Sequence, residues 1–168
     1  TFTLQLTNFF WKTGEPINDK QLYVSIDGWD AGAATPPRWV PVTLTSGGQL
    51  NAAQLGLKYD TSLLSIKNVR SEILLLQGSN VLLYSDYPYI SIAAYTTDLM
   101  LKTLAPSEPL FEIQVEALQS CTLSQAIALS HDFLPALWVD SAMLVHPFDT
   151  TLAQVSAQYS EEHTSELQ

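Results

Sequence analysis

From Phe111 to Ala117 every second side chain is apolar: Phe111, Ile113, Val115 and Ala117 alternate with Glu112, Gln114 and Glu116. A helix would spread those positions around its axis. A strand puts the apolar set on one face and the polar set on the other. The same period of two recurs along the chain. It appears at Phe2, Leu4 and Leu6, at Leu22, Val24 and Ile26, and at Val40, Val42 and Leu44. Ala53, Leu55, Leu57 and Tyr59 oppose Gln54, Gly56 and Lys58, which predicts a half-buried strand. Ile90, Ile92 and Ala94 oppose Ser91, Ala93 and Tyr95, and Ile127 with Leu129 gives a shorter strand. Leu152, Val155 and Tyr159 fit a closing strand with a bulge. Turn chemistry separates these runs at Gly47-Gly48, Asp60-Thr61-Ser62, Gly78-Ser79-Asn80 and Asp86-Tyr87-Pro88. Ser71 to Leu76 and Thr97 to Lys102 each have room for a turn or two of helix, but no segment joins caps to a sustained 3.6-residue period. The expectation is an all-β, antiparallel β-sandwich of jelly-roll-like topology.

Composition narrows the function classes. Only 14% of residues are charged, against roughly 25% in an ordinary soluble domain, so Ser, Thr, Gln and Asn must supply much of the polar surface. Acidic residues outnumber basic ones 17 to 7. That balance repels phosphate backbones and anionic lipid, and argues against a nucleic-acid partner. The longest apolar runs, such as Ile73 to Leu76, are too short to insert across a bilayer. Cys121 is the sole cysteine, so no internal disulfide can form, and its ordinary role is that of a small buried hydrophobe. A chain of 168 residues can bury a core without such staples. A monomer is expected.

The ends are read separately from the middle. Residues 1–159 are expected to form a single sandwich, with 1–26 supplying either its first strands or the end of a preceding module. Thr1 reads as a cut end. Ser160 to Gln168, SEEHTSELQ, resembles the in-frame translation of a short-read sequencing adapter, as on a fragment assembled from environmental DNA. It is expected to be a disordered tail outside the domain. Setting it aside removes Glu161, Glu162 and Glu166 and moves the formal charge from −10 to −7.

One stretch resembles a known family. Trp39-Val40-Pro41-Val42-Thr43-Leu44 is followed by Ala53 to Tyr59 and then Asp60-Thr61-Ser62-Leu63-Leu64-Ser65-Ile66. This resembles the cohesin pattern of a strand, an alternating strand ending in Tyr-Asp, and x-Ser-Leu-Leu. Pro109 to Val115 and Ala126 to Leu129 resemble the last third of the same fold. The resemblance spans roughly Leu22 to Tyr159. It implies a sandwich like those of carbohydrate-binding modules, without catalysis, that binds a dockerin-like module outside the cell or at the cell surface of a bacterium. The loop Asp27 to Pro37 and the segment Asp140 to Tyr159 depart from the cellulosomal pattern. A polysaccharide ligand, or a spacer role in a large surface protein, are the alternatives. No N-x-[ST] acceptor occurs.

Enzymatic constellations are thin. His131-Asp132 has no G-x-S-x-G partner elsewhere, and Glu112 with Glu116 fits the wet side of a sheet. His131, Asp132, His146 and Asp149 match no zinc spacing. No cofactor is expected. Calcium is the one ion considered, at Asp27 and Asp30 of Asp27-Gly28-Trp29-Asp30, which lacks the regular D-x-D-x-D-G loop. Trp11, Trp29, Trp39 and Trp138 are scattered and fit core or rim packing. The candidate binding residues are Tyr84, Asp86, Tyr87, Tyr89 and Tyr95. They gather around one turn and its two strands, and tyrosine combines apolar area with a polar tip. The polar face carrying Gln54 and Lys58 is the second candidate surface.

Overall fold

The computed structural model describes residues 20–25, 37–78, 80–83, 88–119, 126–130, 134–149 and 152–155. Among them are thirteen strands: β1 (Leu22–Ser25), β2 (Arg38–Leu44), β3 (Gly48–Leu50), β4 (Ala52–Tyr59), β5 (Leu64–Arg70), β6 (Val81–Leu83), β7 (Tyr89–Tyr95), β8 (Lys102–Leu104), β9 (Pro109–Ala117), β10 (Ile127–Ser130), β11 (Leu137–Val139), β12 (Val145–Pro147) and β13 (Leu152–Val155). The first sheet has the order β13-β1-β2-β9-β5. The second runs β12-β11-β4-β7-β6, with β10 also paired to β4. β3 and β8 form a separate two-stranded ladder. The pairings are antiparallel except that β1 runs parallel to β13, with Leu22 opposite Leu152. Parallel neighbours cannot share a hairpin, and these two lie at opposite ends of the described chain.

The alternation read from the sequence becomes the core. β9 turns Phe111, Ile113, Val115 and Ala117 inward, with Glu112, Gln114 and Glu116 half-exposed. Val40, Val42 and Leu44 of β2 join them from the same sheet. Leu55 and Leu57 of β4 and Ile90 and Ile92 of β7 close the core from the other. Pro41 lies one residue past the last β1–β2 pair, Val24 with Val42, where its missing N–H no longer meets that ladder. A register shift between Val42 and Thr43, opposite Phe111 and Pro109, leaves Leu110 of β9 as the extra residue of a bulge.

Three local expectations are corrected. β4 is not half-buried: every residue from Ala52 to Tyr59 except Lys58 is buried, on both faces. Tyr59, at the end of β4, is itself buried, and burial pushes its hydroxyl pKa up. The two short helical stretches are not helices. Ser71 does act as a cap, its Oγ accepting from the Ile73 and Leu74 N–H at 3.0 and 2.8 Å while donating to the Leu110 carbonyl. The chain then bridges Leu74 to Thr96 and stays extended. At 97–102 an Asp98 turn leads into β8.

Gly47 ends β2 at φ +67°, a conformation that costs glycine little. A Cβ there would collide with the Leu104 carbonyl oxygen, so the turn is packed against β8 as well as left-handed.

Candidate functional site

The two outer faces of the sandwich differ in chemistry. On the first sheet Arg70 pairs with Glu112 at 3.1 Å, Lys67 with Glu116 at 3.5 Å, and Asn68 with Gln114 at 3.2 Å. The Arg70 guanidinium also lies 3.9 Å from the centre of the Trp39 ring. Trp39 is thus a half-buried residue of this outer face, opposite Gln114. This face is charged, internally paired and wet.

The outer face of the second sheet is nearly free of charge. The β4–β7 register sets Lys58 opposite Tyr89, Gly56 opposite Ser91, Gln54 opposite Ala93 and Ala52 opposite Tyr95. β10 adds Ala128 and Ser130, and β11 adds Leu137 and Val139. Lys58 is the one charged side chain in this set. Its small centre, including Gln54 and Ser91, is buried, while Lys58 is exposed and Tyr89, Tyr95 and Leu137 are half-buried. Ala52, Ala93, Val139 and Val145 form their own apolar cluster, against which Tyr95 and Leu137 pack. Burial raises the Tyr95 hydroxyl pKa.

Two of the candidate tyrosines, Tyr89 and Tyr95, are therefore on the same face as Gln54 and Lys58. Tyr89 and Tyr95 share it at the two ends of β7. Six residues separate them, about 20 Å along a strand, so they do not form a single stacking platform. Lys58 Nζ stands 6.0 Å from the Tyr89 ring centre, at the outer limit of a cation–π contact. Tyr84, Asp86 and Tyr87 lie outside the described residues, as do the calcium candidates Asp27 and Asp30, the pair His131-Asp132, Cys121, Trp11 and Trp29.

Sequence reasoning missed the polar atoms this face leaves unpaired. Among the described residues four buried side-chain atoms have no hydrogen-bond partner: Asn51 Oδ1, Gln54 Oε1, Ser91 Oγ and Trp138 Nε1. Two of these, on Gln54 and Ser91, belong to the outer face, and Asn51 sits at its end. Gln54 satisfies its amide nitrogen on the Pro135 carbonyl at 2.9 Å but leaves its oxygen free. Buried polar atoms are paired in the great majority of cases, so such a concentration on one face is informative.

A second missed feature holds the edge of this sheet. Asp140 Oδ1 accepts from the Ala142 and Leu144 N–H at 2.8 and 2.9 Å, folding the β11–β12 turn. Its Oδ2 lies 2.6 Å from Nε2 of buried His146. An ionised carboxylate only accepts, so Nε2 carries the proton. Burial pushes the Asp140 carboxyl up, but the His146 bond, the two backbone N–H groups and the histidine charge outweigh it and hold it below the usual range. The His146 ring packs 4.5 Å from the Trp138 ring, and Lys20 Nζ lies 4.2 Å from the Trp138 ring centre. Trp138 is thus a core residue and His146 is structural. Asp149 sends its N–H to the Lys20 carbonyl. The signal for the turn was present, since Asp140-Ser141-Ala142 follows the pattern of Asp60-Thr61-Ser62, where Ser62 bonds Asp60 and lowers its pKa. The histidine's partner depends on hairpin register, which the sequence does not show. Among the described residues no three His, Cys, Asp or Glu side chains come together to hold a metal ion.

No protein-family model matches the chain, and no curated protein matches its sequence. Solved structures do match. A cohesin module from a family 33 glycoside hydrolase of Clostridium perfringens aligns at TM-score 0.55 and 9% identity, over 83% of this chain and 100% of that one. A type II cohesin of Acetivibrio cellulolyticus, solved in a cohesin–X-dockerin complex, aligns at 0.53 and 10%, over 82% and 95%. The fold is cohesin-like. A non-cellulosomal cohesin from the archaeon Archaeoglobus fulgidus aligns at 0.52 and 12%, over 89% and 99%. At these identities the likeness concerns the backbone path of the cohesin-like sandwich, and side-chain chemistry must be argued from this chain.

Proposed function

We propose that the chain is a non-catalytic protein-binding module, acting outside the cell or at its surface, that takes a dockerin-like partner on the outer face of β4 and β7. The observation that carries this is the contrast between the faces. One is charged and internally paired. The other is almost uncharged, with Gln54 Oε1 and Ser91 Oγ unpaired and half-buried tyrosines at both ends. Binding faces tend to lose charge at their centre and keep aromatic residues. The cohesin-like fold supports the choice of partner class, since one structural neighbour was solved bound to an X-dockerin. Lys58 and Tyr89 at one end, and Tyr95 at the other, are the proposed anchors. The tyrosines Tyr84 and Tyr87 and the acceptor Asp86, which precede β7 in sequence, extend the proposed surface.

The test is a calorimetric titration of the chain with a panel of dockerin modules, repeated with Tyr89→Ala and Lys58→Glu. Either change should weaken binding by about 1–2 kcal/mol while the melting temperature stays nearly constant. Retained affinity in both variants, or no binding by any dockerin, counts against the proposal.

A further inference from the structure

Of the chain's 7 basic residues, Lys12 lies outside the described residues, and all but one of the others are engaged. Lys67 pairs with Glu116 at 3.5 Å, Arg70 with Glu112 at 3.1 Å and Lys102 with Asp98 at 2.7 Å. Lys20 is buried with its ammonium over the Trp138 ring, and Arg38 has a partner of its own. Lys58 is the exception. It is exposed, in a chain where acidic residues outnumber basic ones 17 to 7, yet no carboxylate among the described residues pairs with it. The contact it does make, 6.0 Å from the centre of the Tyr89 ring, is at the outer limit for a cation–π interaction.

Strand register fixes what surrounds this lysine. It lies opposite Tyr89 on β7 and opposite Ala128 on β10. Beside it is an open depression of about 290 Å³, lined by Lys58, Tyr59, Asp60, Ala126, Ile127 and Ala128. The lining is largely apolar, and the short side chains of Ala126 and Ala128 leave it unfilled. Asp60 supplies its one carboxylate. That group serves its own turn, Oδ1 accepting from the Ser62 N–H at 2.9 Å and from the Ser62 Oγ at 2.6 Å.

We infer that Lys58 and this depression receive a glutamate side chain of the partner module, its carboxylate on the ammonium and its methylenes along Ala126 and Ala128. The inference rests on the sheet-face proposal for the presence of a protein there, and adds the chemistry that this end of the face selects. Charge decides the class. An unpaired cation on an otherwise nearly uncharged face favours one carboxylate and rejects a Lys or Arg at the same place. Length decides the residue. The surface beside the ammonium is apolar, so an acid with more methylene to bury fits better than aspartate. A single acid is called for, because the formal charge of −10 opposes a partner that is acidic throughout.

The test uses the whole chain and four capped tripeptides, acetyl-Gly-X-Gly-amide with Glu, Asp, Gln or Lys at X. NMR titration follows the backbone amide signals of Lys58, Asp60 and Ala128. The Glu peptide should bind about two- to fivefold more tightly than the Gln peptide, the range of one exposed ion pair. The Asp peptide should fall between them, and the Lys peptide should be weakest. The preference for Glu should vanish in Lys58→Met, persist in Lys58→Arg, and fade at about 1 M salt, where screening acts within about 3 Å. Both variants should keep the wild-type melting temperature, because the side chain is exposed. No saturable shift with the Glu peptide, equal affinity for Glu and Gln, or a preference that survives Lys58→Met overturns the inference. Dockerin binding that depends on Tyr89, alongside tripeptides that are not discriminated, would overturn it and leave the sheet-face proposal standing. Discrimination that depends on Lys58, with no dockerin bound, would support the carboxylate site and remove the dockerin-like partner.

Discussion

Replacing Asp140 by alanine removes three acceptor contacts at once. The Ala142 and Leu144 N–H groups lose partners at 2.8 and 2.9 Å, and His146 Nε2 loses one at 2.6 Å. A hydrogen bond to a charged group contributes about 1.5–3 kcal/mol, and a neutral one about 1 kcal/mol. Because the Asp140 side chain is one quarter exposed, water can replace part of what is lost, and the lower end applies. Buried His146, left without its carboxylate, adds a cost that water cannot easily meet. The expected loss is about 3 kcal/mol, a fall in Tm of about 6–12 °C for a domain of this size. Asp140→Asn keeps one acceptor oxygen for the turn and should cost about 1 kcal/mol. The pH dependence follows from the sign of the shift. Asp140 titrates lower in the folded chain than its ordinary 3.8, so its stabilisation is complete above that value and is lost as pH falls through the folded pKa. Thermal melts by circular dichroism, from neutral pH down to about pH 2, should show the gap between wild type and Asp140→Ala closing in acid. A gap of less than about 2 °C at neutral pH, or one that persists unchanged in acid, would refute this account of the hairpin.

Other substitutions probe other parts of the fold. Phe111→Ala empties a fully buried position on β9 and should cost about 3–5 kcal/mol in chemical denaturation, more than any surface change. Gly47→Ala meets both a left-handed backbone and the Leu104 carbonyl, so its Tm should fall well beyond that of an ordinary surface Gly→Ala change. Arg70→Ala removes a half-exposed ion pair and the stacking on Trp39 and should cost about 0.5–1 kcal/mol, read by the same denaturation assay at low and high salt.

The long strands were legible because their periodicity survives folding unchanged. β9 is the clearest case, each inward residue falling where alternation placed it. β4 was legible as a strand but not in its surroundings. Periodicity gives the faces of a strand, and which neighbours cover them is set by pairings distant in sequence, such as Gln54 with Leu137. The three-residue strands β3, β6, β8, β11 and β12 are too short to show a period, and tertiary pairing defines them. The helix-like signal at Ser71 was a true capping interaction serving a loop, because the same local chemistry stabilises both. Tyr89 and Tyr95 lie at the two ends of β7, on the side that faces Lys58 and Ala52 across the β4–β7 ladder. Their separation along it, and the unpaired oxygens of Gln54 and Ser91 between them, required the β4–β7 register.

The proposal that binding uses the second sheet's outer face is tested most directly by side-chain oxidation footprinting of the chain with and without its bound partner module. Tyr89 and Tyr95 are half-buried on that face, and Trp39 is half-buried on the opposite one. Binding should suppress oxidation at both tyrosines and leave Trp39 unchanged. Protection at Trp39 with the tyrosines unaffected would place the partner on the charged sheet and contradict the account.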